Sequence, residues 1–265
     1  MVRLGAFRVM FLATMCKQLK GFTLLSRRFL RAREFGVHFV GTKKFLLPRS
    51  IRWRDRSLFI SAPEEVGLAW DFINLALDDE YGLREFRDKP KTVIDVGANI
   101  GLFSILAAHY FANAMIHAYE PNPRVIPYTA KNLQPAGITL FNEGVGSVSG
   151  FATIQDTGES RSALTLLGAS VSGNVPIISL TEAVERMGCE IDLLKLDCEG
   201  AEWGIFQEPR AFERIRNIRM EYHLIHGHSV GDLERITTDL GFRIDRWISN
   251  QRFGIAWLSR NQKSG

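Results

Sequence analysis

The chain has 265 residues, 46% of them hydrophobic and 23% charged, enough apolar material to bury one sizeable core and too much for a disordered chain. Its formal charge of +4 hides a division: residues 1–56 hold 14 Lys and Arg against Glu34 and Asp55, while the other 209 residues hold 19 basic and 27 acidic side chains. The basic pI therefore belongs to an N-terminal arm, and the body behind it is acidic.

Three cysteines, Cys16, Cys189 and Cys198, form no C-x-x-C pair, which argues against a disulfide framework or a thiolate zinc site and agrees with a reducing, cytoplasmic setting. No apolar run approaches the roughly 18 residues that span a bilayer. Within the arm, Leu4, Phe7, Phe11, Met15, Leu19, Phe22, Leu25 and Phe29 recur at steps of three or four. That spacing places them on one stripe of a helix, with Arg8, Lys17, Lys20, Arg27, Arg28 and Arg31 mostly off it. Three readings stand open. The stripe packs on the body with its cations solvated; residues 1–33 lie on an anionic membrane surface, making the protein peripheral there; or the Arg-rich start, free of acids up to Glu34, is a transit segment. No base-reading motif accompanies the charge, so no nucleic-acid partner is expected.

Gly36 to Ile60 alternates apolar and basic residues around Pro48, as either a pair of short strands or an extended linker. Pro63-Glu64-Glu65 predicts the first turn of a helix capped at Ser61 or Ala62, because Pro suits the first helical position and acids suit the positive end. Trp70, Ile73, Asn74, Leu77 and Tyr81 would continue one face. From Thr92 onward, short β-rich runs alternate with helical stretches, the signature of an α/β fold with a mostly parallel sheet covered on both faces. Strands are expected at Thr92–Val96, Met115–Tyr119, Ile138–Asn142, Ile191–Leu196 and Ile218–His223. Helices are expected at Ile100–Tyr110, Arg124–Leu133, Thr181–Met187, Ala201–Ile215 and Asp232–Leu240. Arg243–Ser249 and Gly254–Ser259 flank Asn250–Phe253 as a closing antiparallel hairpin. A smaller hairpin is read at Gly150–Ile154 and Val175–Ser179. The expected organisation is thus a basic arm over 1–60, a helical lead-in over 61–90 and an α/β domain over 91–260.

Val93 to Gly101 is an apolar strand running through a glycine loop into a helix, and in an open α/β sheet ligands sit beyond the carboxyl ends of the strands. A dinucleotide fingerprint needs G-x-G-x-x-G, whereas Asn99 stands in the place of the second glycine and would meet a pyrophosphate. S-adenosylmethionine carries no phosphate, and its ammonium prefers acceptors such as Asp95 and backbone carbonyls. Glu120 ends the next strand, 19 residues past Gly101, close to the spacing at which an acid accepts from ribose hydroxyls. Asp95, Gly97, Ala98, Asn99, Gly101, Glu120, Pro121 and Asp197 are the expected cofactor-binding residues.

These residues resemble the FkbM family of S-adenosylmethionine-dependent methyltransferases. The resemblance runs from about Tyr81 to Leu258 and rests on Val93–Gly101, on Tyr119-Glu120-Pro121-Asn122-Pro123, and above all on the K-x-D-x-E-G-x-E block from Lys195 to Glu202. It implies a Rossmann-like class I fold, a seven-stranded mostly parallel sheet with a reversed C-terminal hairpin, and methylation of a hydroxyl on a small molecule, glycan or lipid-linked acceptor. An N-P-P-[FYW] block is absent after the Ile191–Leu196 strand, which lowers the expectation of a base or amide nitrogen as acceptor. Nucleic-acid or protein methylation and a non-catalytic cofactor-binding scaffold are the rival functions.

Methyl transfer from a sulfonium is an in-line displacement, and an aliphatic hydroxyl needs a base or a metal to take part. Asp197, Glu199, Glu221 and His223 stand at the carboxyl ends of neighbouring strands. The expectation is a metal-free base, Asp197 first and His223 second, with Glu199 orienting. The alternative is magnesium held by Asp197, Glu199 and Glu221.

Overall fold

The computed structural model describes Gly21 and residues 23–155, 164–166, 175–249 and 252–261. Helix α1 (residues 23–34) opens the described chain and leads to a hairpin, β1 (Ser50–Trp53) and β2 (Arg56–Phe59), paired antiparallel. The segment 36–60 thus holds a pair of strands rather than a linker. Helix α2 (Gly67–Phe72) then widens into a π-helical stretch, Ile73–Asp78, which Asp79 ends in the left-handed region at φ 56°.

The expected helix start at Pro63 lies four residues too early. Asn132 accepts from the Ser61 amide (2.7 Å) and donates to its carbonyl (2.8 Å), so it pairs with extended backbone like a neighbouring strand. Glu65 is drawn inward to Arg124 (2.6 Å), and neither Ser61 nor Ala62 caps a helix. Of the predicted face, Ile73, Leu77 and Tyr81 are buried and Trp70 is exposed.

The central sheet contains seven strands in the order β12-β13-β11-β10-β3-β4-β5. These are β3 (Thr92–Val96), β4 (Met115–Tyr119), β5 (Thr139–Phe141), β10 (Leu193–Leu196), β11 (Asn217–His223), β12 (Phe242–Ser249) and β13 (Phe253–Arg260). β3, β4, β5, β10 and β11 are parallel, and β13 runs antiparallel to both β11 and β12. This is the α/β class I methyltransferase arrangement with its reversed C-terminal hairpin. Helices α3 (Leu102–Tyr110), α4 (Ile126–Leu133), α5 (Leu180–Met187) and α8 (Val230–Asp239) connect or cover the strands. A second sheet, in the order β6-β9-β7-β8, is built from β6 (Gly144–Gly146), β7 (Gly150–Gln155), β8 (Leu164–Leu166) and β9 (Val175–Ser179). It contains the smaller hairpin read from sequence, since Gly150 pairs with Ile177 and Ala152 with Val175.

One predicted helix divides. Ala201–Ile215 contains two short helices, α6 (Glu202–Ile205) and α7 (Pro209–Phe212). Pro209 has no N–H to continue the ladder and disfavours a helical residue before it. The freed Glu208 side chain accepts from the Leu180 amide (2.9 Å) and the Thr181 hydroxyl (2.8 Å) at the start of α5.

Helix α3 is buried from Leu102 through Ala108, too much for a helix covering only one sheet face. The N-terminal segment covers its other side: the Trp53 indole donates to the Ile105 carbonyl (2.9 Å) and Phe35 packs between Phe72 and His109. In α1 the described part of the stripe faces outward, against the reading in which it packs on the body. Leu25 and Phe29 are exposed, as is Leu30, while Ala32 and Phe35 are buried. Arg28, expected in solvent, forms a two-pronged pair with Asp78 (2.8 and 2.5 Å), and Arg31 donates to the Leu77 carbonyl. Expected positions 4 to 22 of the stripe lie outside the described residues.

Candidate active site

The carboxyl ends of β3, β4, β10 and β11 surround a cavity of about 290 Å³, near the lower end of small-molecule pockets. Four loops and strands meet there. Gly97, Ala98 and Asn99 follow β3, Glu120 and Pro121 follow β4, Asp197 and Glu199 follow β10, and Glu221 lies on β11. Asp71, Asn74, Leu75 and Glu80 close it from the α2 segment, and Val145 and Ile177 from the second sheet.

The glycine loop is held by contacts that explain its sequence. Gly97 has φ +76°, and a Cβ there would collide with the Asp197 carbonyl, so the β3 and β10 loops approach closely only with glycine. The Gly97 and Ala98 amides donate to the Tyr119 carbonyl (3.1 and 3.0 Å). Asn99 is left-handed at φ 49°, its amide donates to Glu120 Oε2 (2.6 Å), and its side-chain Oδ1 is buried without a hydrogen-bond partner among the described residues. Glu120 Oε1 accepts from the Asn122 amide (2.8 Å). Burial pushes the Glu120 carboxyl up to about 7 against these two amides and Lys195.

Two expected residues stand apart from the cavity wall. Asp95 is fully buried beneath the loop, accepting from Ser104 Oγ (2.7 Å) and paired with Lys195 Nζ (3.2 Å), so its expected direct contact with a cofactor ammonium is not the one its position offers. Gly101 meets Leu133 in the packing of α3 on α4. Pro121 and Ala98 line the cavity as expected.

Lys195 was visible only as a motif letter. It is buried, and its ammonium reaches Asp95 Oδ1 (3.2 Å), Asp197 Oδ2 (3.5 Å) and the Gly97 carbonyl (2.6 Å). Burial opposes the charged form, but Asp95 and Asp197 outweigh it and raise the pKa. Asp197 Oδ2 also accepts from the Tyr81 hydroxyl (3.2 Å). Tyr81 and Glu80 carried no sequence signal beyond the helical face drawn through Tyr81, because chain separations of more than 100 residues bring them here.

Of the four expected catalytic residues, Glu199, Glu221 and His223 meet in one group, and Asp197 acts on Glu221 through its charge. The His223 ring turns Nδ1 to Glu202 (2.7 Å) and Nε2 toward Glu199 (3.5 Å) and Glu221 (3.8 Å). Glu202 is fully buried and also accepts from the His223 amide (3.1 Å). Burial disfavours the imidazolium, yet the Glu202 hydrogen bond and charge, with Glu199 and Glu221, raise its pKa. This favours the protonated ring, and His223 is not among the residues that line the cavity. Glu199 sits at φ 52° beyond the end of β10, so strand alternation does not govern it. Glu221 lines the cavity, and burial followed by the Asp197 charge raises its pKa against the pull of His223. Among the described residues no group of three or more His, Cys, Asp and Glu is placed to hold an ion, and no helix is long and apolar enough to cross a membrane.

Comparison with known proteins gives the site its context. The Methyltransferase FkbM domain family matches residues 95–244. The chain is 26% identical over 207 residues, 60% of this chain and 78% of the relative, to Methyltransferase sdnD of Sordaria araneosa. Among solved structures it is similar to the ribosomal protein L11 methylase of Lactobacillus delbrueckii subsp. bulgaricus, at TM-score 0.41 and 16% identity over 69% of this chain and 77% of that one. It is also similar to M. capricolum TrmK in complex with S-adenosyl-homocysteine, at TM-score 0.39 and 14% identity over 65% and 63%.

The titrations of this group act in one direction on stability. His223 is raised from 6.5, so its contribution is full below that value and fades as pH climbs through the raised one. Glu120 and Glu221 are raised from 4.5, so the folded state binds the extra protons and loses stability as pH rises. Thermal unfolding should therefore shift to lower temperature between pH 6 and pH 9, and His223→Gln should flatten that slope. A slope unchanged in the variant would show that His223 is not held protonated by Glu202.

Proposed function

The chain belongs to the FkbM family of S-adenosylmethionine-dependent methyltransferases, and we propose that it methylates a hydroxyl group on a small-molecule, glycan or lipid-linked acceptor, with Glu221 as the base. The observation that carries this reading is the position of Glu221: its carboxylate lines the cavity, beside a histidine already committed to Glu202.

The residues present fit the cofactor. Asn99 Oδ1 offers a buried acceptor without a donor, the Glu120 carboxylate faces the cavity with its orientation fixed by two amides, and Pro121, Val145 and Ile177 give an apolar wall. We assign Glu120 and Asn99 to the ribose and amino groups, the apolar wall to the adenine, and Asp197 to the cationic methionine end. Asp95 acts from below, fixing Lys195 and through it the loop. When bound, the cofactor supplies an electrophilic methyl group on a sulfonium. Glu221 takes the hydroxyl proton as the O–CH₃ bond forms, and the electron pair of the broken C–S bond stays on sulfur. Asp197, held by Tyr81 and Lys195, keeps its carboxylate fixed for the methionine end. His223, positively charged, sets the affinity of Glu221 for the proton.

Calorimetry tests the cofactor assignment. Both S-adenosylmethionine and S-adenosylhomocysteine should bind and NAD should not, and Glu120→Ala should weaken binding by about 1–3 kcal/mol. Undiminished affinity would remove Glu120 from the site. With an acceptor that takes up the methyl group, Glu221→Gln should lower kcat by about 10²-fold or more while cofactor affinity is kept. A larger loss of kcat in Asp197→Asn than in Glu221→Gln, with cofactor affinity kept in both, would transfer the role of base to Asp197.

A cytoplasmic protein with peripheral membrane contact through residues 1–33 is part of the same proposal, supported by the exposure of Leu25, Phe29 and Leu30 on the outer side of α1. Full-length protein should sediment with anionic vesicles at low salt and be released by salt. Protein left in the supernatant would end this reading.

A further inference from the structure

The cavity has two chemically different ends. Around Glu120 it is walled by Pro121, Val145 and Ile177, whereas the end toward β10 and β11 sets Asp197, Glu199 and Glu221 beside Phe253 and Ile255. Asp197 and Glu221 there have cationic neighbours, Lys195 and His223. Glu80 is different. Its amide donates to the Asn74 carbonyl (3.1 Å) and its carbonyl accepts from the Trp257 indole (2.7 Å). These bonds fix the backbone with the side chain in the cavity wall, where its carboxyl meets no donor among the described residues.

The acids that act on Glu80 are Glu221, Asp197, Asp71 and Asp78, whereas Glu120 responds to Lys195 and Asp95. The Glu80 carbonyl is held by Trp257 on β13, which pairs with β11, whereas Glu120 ends β4 on the far side of β10 and β3, so Glu80 belongs to the acceptor end. Burial first, and these like charges next, hold its carboxyl well above the usual carboxylate range. An entering cation would reverse both penalties, because charges interact strongly where water is excluded. A neutral polyol would supply only hydrogen bonds, and an anion would add to the repulsion.

We propose that Glu80 recognises a protonated amine on the acceptor, so that the substrates are amine-bearing hydroxyl compounds such as amino sugars or amino alcohols. The assignment rests on the hydroxyl-methylating reading of this cavity and narrows it. Glu80 takes the ammonium, which leaves the neighbouring hydroxyl to Glu221.

The test supplies methyl-labelled S-adenosylmethionine together with a metabolite extract separated beforehand into cationic, neutral and anionic fractions. Label should enter a product of the cationic fraction that still binds a cation exchanger at pH 7. Glu80→Gln should reduce that labelling about ten-fold or more, mainly through KM, with Glu80→Asp restoring part of it and cofactor affinity by calorimetry unchanged. Label found only in neutral or anionic products overturns the role of Glu80 and leaves the methyltransferase reading intact. Weaker cofactor binding in Glu80→Gln overturns it as well, by moving Glu80 to the cofactor. Label in no fraction overturns the hydroxyl-methylating reading and this inference with it.

Discussion

The buried ammonium of Lys195 is the interaction on which the site depends. A lysine with 3% of its side chain exposed is stable only if its charge is matched, and here Asp95 lies below, Asp197 beside it and the Gly97 carbonyl above. One side chain thus ties the ends of β3 and β10 together. It fixes where the glycine loop passes and holds the Asp197 carboxylate with one oxygen engaged. Gly97 completes the arrangement, because any Cβ would force the Asp197 carbonyl away and with it the distance that Lys195 spans.

The second determinant is the chain before the family match. Tyr81, which holds Asp197, and Glu80, which walls the acceptor end, both precede residue 95. They are positioned by the π-helical stretch and its left-handed end at Asp79, whose carboxylate accepts from the Leu83 amide (2.8 Å). That stretch is in turn anchored from outside, by Arg28 on Asp78 and Arg31 on the Leu77 carbonyl. The N-terminal segment is therefore part of the site's support as well as a cover for α3.

Much of this fold was legible because local patterns and tertiary packing agree. Thr92–Val96 is buried along its length and Met115–Tyr119 from Ile116 onward, and such central parallel strands announce themselves as mostly apolar runs. The glycine loop and Glu120 follow from chain order on the same sheet. What was illegible depends on long-range pairing. The helix start was displaced from Pro63 because Asn132, 71 residues away, holds Ser61 extended. The setting of α1 stayed open because spacing identifies an apolar stripe without saying which partner waits for it, and two arginines found acceptors on the body. His223 looked like a base in sequence, where nothing marked Glu202 as the carboxylate that its ring would meet.

The acidic body and the acidic cavity have separate physical consequences. Surface charge of one sign is screened beyond about 10 Å at ordinary ionic strength and sets solubility and encounter. Carboxylates inside a closed wall are screened far less, so Glu80, Asp197 and Glu221 act on one another and on whatever enters between them. Burial first and this crowding second raise the pKa of Glu80 and of Glu221, in Glu221 against the pull of His223 and Lys195. A bound cation and a bound proton are then alternatives. Carboxylates that are costly to ionise when buried among like charges would become acceptors beside a positive ligand, and on the proposed reading Glu221 would then gain the ionised form that a base requires.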